Sequence, residues 1–418
     1  MLVAAALVTT AQATTSEEKL RLLMERQRNQ TKGVTVGNFA GLLSPDRLRE
    51  RSDLLAQGEL DLSMLRVDAA QAAFEKAALV LHSADSELAL VRSYMQGGDY
   101  RRALAFGAHT AGAHLDVVGG TALYAWLLHA GGQESVAKQL LDATMTRIPN
   151  NPLIKSVQQQ LASGAPTATK DLLMLPLRLA PYSDRARLPN NAIVSSSAVL
   201  LPDSSSKLPA LGRFALIPLS PAYVRQTKVW LRNGLGQVSA AAVTQRLPGL
   251  GLAVVRLASP LPLPDGFVVA KGEAFPGSAG YAVQYPVFAG KPTRAPAWPQ
   301  LHIGFIGGMA APAGAGSQTR LLGISLQNQA RGGPVFNSAG QLIGVATRSA
   351  NSKNDLLVTT AQLAKAMSGN NTKFGLLPPQ AAASQVAAAP APATAALAAD
   401  RIYEASLKSA LQVITIGQ

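Results

Sequence analysis

The sequence predicts an α + β multidomain protein, with an α-helical repeat domain over residues 52–165 and an all-β domain over 170–370. Three observations predict it. Small residues recur at Ala70, Ala103 and Ala137, spaced as helical-hairpin repeats are. Beyond residue 170, short β-rich runs alternate with Pro, Gly, Ser and Asn, the pattern of all-β sandwiches and barrels. Charge also changes between the two: residues 52–169 carry 8 basic and 11 acidic side chains, residues 170–370 carry 19 and 6. The chain of 418 residues is long enough to bury several cores without staples. Its lack of cysteine excludes disulfides, thiolate metal sites and a cysteine nucleophile. No apolar run approaches the ~20 residues that span a bilayer.

In chain order, Met1–Ala13 has the form of the end of a secretory signal: an apolar core, Leu2–Val8, then the small-x-small site Ala11-Gln12-Ala13. The basic residue that usually precedes such a core is missing, and a plain apolar N-terminus of a cytosolic protein is the alternative. Residues 14–51 are expected to form a helix and linker, opened by the capping box Thr15-Ser16-Glu17-Glu18. In 52–165 the turns Gly97-Gly98-Asp99 and Gly131-Gly132-Gln133 precede Ala103 and Ala137 at the same offset, and Ile148-Pro149-Asn150-Asn151-Pro152 is a helix stop. This spacing, with Gly58 and Tyr94 at further matching positions, resembles the tetratricopeptide repeat. Gly107, Thr110 and Leu115 depart from its pattern, and an unrelated alanine-rich bundle is the alternative. The resemblance implies a concave groove that binds a protein segment, with Arg92, Gln96, Trp126 and His129 on its inner face. Trp126 reads equally as an anchor or as core. His109 and His114 lie five apart with no carboxylate pattern to complete a metal site, so no metal and no cofactor are expected.

The β-rich runs are 192–201, 214–219, 227–231, 252–257, 280–285, 301–306, 321–326 and 342–346. No glycine-rich phosphate loop joins a strand to a helix. The run Gly332-Gly333-Pro334-Val335-Phe336-Asn337-Ser338-Ala339-Gly340-Gln341-Leu342-Ile343-Gly344-Val345 resembles the segment around the nucleophile of trypsin-like serine proteases of the HtrA-like branch. The segments 229–234, 252–257 and 280–286 resemble other strands of that family in the same order. The resemblance implies a trypsin-like double barrel, yet its chemistry is missing. The nucleophile position holds Arg331, the glycine of the oxyanion turn is Gln329, the triad aspartate falls on Gly251, and the histidine falls on Leu219 or a neighbour. No histidine stands between residues 130 and 301. The reading is therefore a pseudoprotease rather than an enzyme. A peptidase using other residues, such as Ser325 or Ser338 with Lys353, is the alternative; a basic polyanion or nucleic-acid binder is a second, although the arginines are scattered and no small-molecule substrate is indicated.

Residues 371–399 read as an Ala/Pro-rich linker, and 400–418 as a short helix followed by a β-prone run, similar to the opening helix and first strand of HtrA-like domains displaced along the chain. Leu411, Val413, Ile414 and Ile416 are expected to add a strand to a barrel edge, in the same molecule or in a second copy. Together these features suggest an exported scaffold, periplasmic or extracellular, that binds proteins of a larger assembly.

Overall fold

The computed structural model describes residues 43–184, 188–203, 210–219, 228–270, 272–287, 295–309, 320–326, 329–348, 354–367 and 395–416. The expected signal, the first helix and most of the linker lie outside them. Seven helices come first among the described residues: α1 (Pro45–Ser63), α2 (Val67–Val80), α3 (Ala84–Gly97), α4 (Tyr100–Ala113), α5 (Val118–Ala130), α6 (Glu134–Arg147) and α7 (Pro152–Ala162). Ser44 caps α1 by accepting from Arg47 N at 3.4 Å. Ala70, Ala103 and Ala137 stand on α2, α4 and α6 and are fully buried. The second glycine of each predicted turn is left-handed, Gly98 at φ +82° and Gly132 at φ +83°, which ends α3 and α5 sharply and reverses the chain. Gly131 also lets Tyr100 approach: a Cβ there would stand 2.0 Å from the phenol oxygen, which donates to Leu127 O at 3.0 Å.

The strands are β1 (Ala192–Pro202), β2 (Leu211–Pro218), β3 (Lys228–Asn233), β4 (Val238–Leu247), β5 (Leu252–Pro262), β6 (Ala279–Pro286), β7 (Gln300–Met309), β8 (Arg320–Gly323), β9 (Gln329–Ala330), β10 (Pro334–Phe336), β11 (Leu342–Arg348), β12 (Asp355–Thr359) and β13 (Ala410–Ile416), with α8 (Thr360–Met367) and α9 (Ala399–Ser409) between the last two strands. All pairings are antiparallel apart from one isolated bridge, Val269 to Leu342. The second unit runs β6-β7-β8-β12-β11-β10 and closes where Val335 pairs with Ala282, leaving β9 as a short extra rung on β6. Numbered within the unit, that ring is 1-2-3-6-5-4. The first unit is the closed ring β13-β1-β2-β5-β4-β3. It has the same 1-2-3-6-5-4 order, but only when β13 is counted as its first strand. The two barrels therefore share one topology, and the first is completed by a strand that the chain supplies last. This is a trypsin-like double barrel behind a helical domain.

β13 adds to the barrel of its own chain. It pairs on one side with β1, Ala192 opposite Ile416, and on the other with β3, Val413 opposite Leu231. Leu411, Val413 and Ile414 are buried, whereas Ile416 at the strand end is exposed. Pairing on both sides closes the barrel wall, because a ring of six strands leaves β1 and β3 unpaired until β13 lies between them. β13 is held further by Arg232, a buried guanidinium on β3 that donates from Nε to Gln412 Oε1 at 2.8 Å. The preceding α9 wedges between helices and barrels. Tyr403 stacks edge-on against Tyr100, with centroids 4.5 Å apart, and donates to Pro299 O at 2.7 Å. Arg101 N donates to Glu404 Oε2 at 2.8 Å, and Gly234 N to Leu407 O at 2.8 Å. One apolar core consequently runs from Leu62 through the helices into both barrels and α9.

Candidate functional site at the barrel junction

The Gly-Gly-Pro turn lies where the two barrels meet. Arg331 O accepts from Ser197 N of β1 at 2.9 Å, Gly332 N donates to Ala346 O at 2.8 Å, and Gly333 N donates to Gln284 Oε1 at 2.9 Å. Only glycine fits position 332: φ is +109°, and a Cβ would stand 2.1 Å from Ser197 O and 2.4 Å from Pro218 Cγ. Pro218 is followed by Leu219, whose N–H donates to Gly251 O at 2.8 Å. Leu219 and Gly251 are thus joined by a backbone hydrogen bond, and Gly332, next to Arg331, lies against Pro218, next to Leu219. Gln329 sits on β9 and pairs with Pro286.

The side chain of Arg331 is engaged. Its Nε donates to Asp355 Oδ1 at 2.7 Å; Arg348 Nε reaches the same oxygen at 3.2 Å, and Leu326 N donates to Oδ2 at 3.2 Å. Asp355 is 7% exposed, so its carboxylate is desolvated and compensated by two guanidinium groups and one backbone amide. A guanidinium stays protonated and offers neither a nucleophile nor a base, and neither leucine nor glycine carries a titratable side chain. Of the residues weighed for a dyad, Ser338 lies in the turn between β10 and β11, where its carbonyl accepts from Leu397 N at 2.7 Å; Ser325 is exposed, and Lys353 lies outside the described residues.

The four residues expected to line a groove are engaged within the chain. Arg92 is 3% exposed and ion-paired with Glu59, which also accepts from Tyr182 Oη at 3.1 Å. Gln96 Oε1 accepts from Tyr182 N at 2.7 Å, and its amide donates to Leu235 O on the β3–β4 turn. Trp126 is 5% exposed and belongs to the continuous core. His129 ends α5 beside β7, where burial lowers its pKa to about 4. His302 on β7 is lowered to about 4 by burial first, then by the charges of His129 and Arg331. Tyr182 and the β3–β4 turn thus cover Gln96, one of the four positions.

Sequence reasoning missed Asp355. It is one of only six acidic residues in the basic block, and that scarcity is a signal that a buried cation needs it. It missed Glu87 too. Among the described residues His82, Glu87 and His114 bring their ligand atoms within 4.8 Å of one another, so the carboxylate thought absent beside the histidines comes from the start of α3.

No family model matches the chain, and no curated protein matches it. Among solved structures it is similar to the inactive form of the Rv3671c protease, at 16% identity over 43% of this chain and 91% of that one, TM-score 0.27. It is also similar to Deg5, at 15% identity over 43% and 89%, TM-score 0.29. A third likeness is to the MamO protease domain from Magnetospirillum magneticum, at 16% identity over 43% and 98%, TM-score 0.28.

Proposed function

We propose that the protein is an exported, non-catalytic scaffold, with a tetratricopeptide-like helical domain clamped onto a trypsin-like barrel pair that carries no proton-transfer chemistry. The observation that carries this reading is Arg331, locked onto Asp355 at the turn where a nucleophile would stand, with Leu219 and Gly251 at the two other positions. Removing the members of a serine–histidine–aspartate set removes activation of the hydroxyl, and what remains is a rigid surface. In this reading the work is binding proteins of an envelope or extracellular assembly. No described helix is long and apolar enough to cross a membrane.

The test is labelling of the full chain with a serine-reactive fluorophosphonate alongside digestion of casein and peptides. No signal above background is expected from the native chain, nor from Arg331→Ser, which gains a hydroxyl but no base. Stoichiometric labelling of any serine in the native chain would instead establish the peptidase alternative.

A further inference from the structure

Three of the five histidines of the chain converge on one carboxylate in the helical domain, far in sequence from the barrel junction. His82 lies in the α2–α3 connection, Glu87 in the first turn of α3, His109 on α4, and His114 just past the end of α4. Glu87 has no exposed side-chain surface. His82 Nε2 contacts its Oε1, His109 Nε2 lies 3.3 Å from the same oxygen, and His114 Nε2 lies 3.3 Å from Oε2. Every imidazole thus presents its Nε2 to one carboxylate.

Glu87 Oε2 and His114 Nε2 are buried and face each other at 3.3 Å as an ion pair without hydrogen-bond geometry. The His114 side chain is only 7% exposed. A buried carboxylate is costly unless cations compensate it. Ligands about 2.0 Å from a tetrahedral ion stand ~3.3 Å from one another, which is the separation of the His114–Glu87 pair. The His82 contact is closer than that, and its ring, 25% exposed, is the one with room to open.

We propose that His82, Glu87 and His114 bind one Zn2+-class divalent ion that ties the α2–α3 connection and the end of α4 to the start of α3. Imidazole nitrogens with one carboxylate suit Zn2+ and its borderline neighbours rather than Mg2+ or Ca2+, which prefer oxygen donors. Three protein ligands leave the fourth position to water, and the site acts as a clamp across the first two helical hairpins. Binding is linked to folding, because the three ligands come together only when these elements pack.

The test uses the full chain stripped with a chelator and returned to Zn2+ or Co2+. The expected results are one ion per chain, a higher thermal midpoint with Zn2+, and the visible absorption of tetrahedral Co2+. His114→Gln and His82→Gln should each weaken Zn2+ affinity at least ~100-fold, beyond the loss seen when only an outer partner of a ligand is removed. Should either variant not fold, the Co2+ spectrum of the native chain decides: an octahedral spectrum, or none, overturns the proposal. Retention of full affinity in both folded variants overturns it as well.

Discussion

Trp126 illustrates how a single side chain takes its role from its surroundings. A large ring at the centre of a helical groove could anchor a partner, but here it is packed into the core shared by helices and barrels. Trp126→Ala is expected to lower stability by about 3–5 kcal/mol, the cost of an aromatic cavity in a closed core. Denaturant midpoints measure it; a loss under about 1 kcal/mol would return Trp126 to a binding surface. Arg331 has been fixed in the same way. Its neighbours Asp355 and Arg348 come from β12 and β11, so the ion network exists only once the second barrel has closed.

At the scale of elements, β13 decides whether the first barrel exists. Hydrogen bonds run from it to both β1 and β3, and the amides of Val413 and Ile414 should therefore exchange only as slowly as the barrel opens. Deleting residues 399–418 leaves two unpaired edges and an exposed core, so the truncated chain is expected to bind apolar dyes and to aggregate. The register also predicts a rearranged chain that folds. Ala192 pairs with Ile416, so a loop of roughly 2–5 residues can join them as an ordinary hairpin. A protein that places 395–416 ahead of 192 through such a loop should keep the barrel, shown by circular dichroism and exchange protection. If it does not fold while the native order does, β13 is not equivalent to a first strand.

Over the whole molecule, helices and barrels are joined by buried polar contacts as well as by a common core. The pair His129 and His302 lies at that junction, with both pKa values lowered to about 4 from an ordinary 6.5. Between pH ~6.5 and ~4 the unfolded chain binds protons that the folded one refuses, so stability falls as pH falls through this window. Each unit of separation is worth about 1.4 kcal/mol where the ring is fully shielded. His302→Gln is therefore expected to flatten the loss of thermal midpoint between pH 7 and 5. An unchanged acid slope in that variant would show that His302 is protonated without cost.

The sequence by itself determined the helical hairpins and most of the barrel strands, because these rest on local periodicity and turn chemistry. The left-handed Gly98 and Gly132 and the buried Ala70, Ala103 and Ala137 were legible for that reason. Four strands were not. β4 contains Ala240-Ala241-Ala242, and β9, β10 and β12 are only two, three and five residues long, so their propensity is weak and their partners supply the pairing. Only the tertiary structure decided that Gln96 meets Tyr182 and Leu235, that Asp355 receives Arg331, and that Glu87 gathers three histidines. Each of these joins residues that no local pattern relates. Burial makes such pairings obligatory, because a charge removed from water must find its partner wherever the fold brings one near.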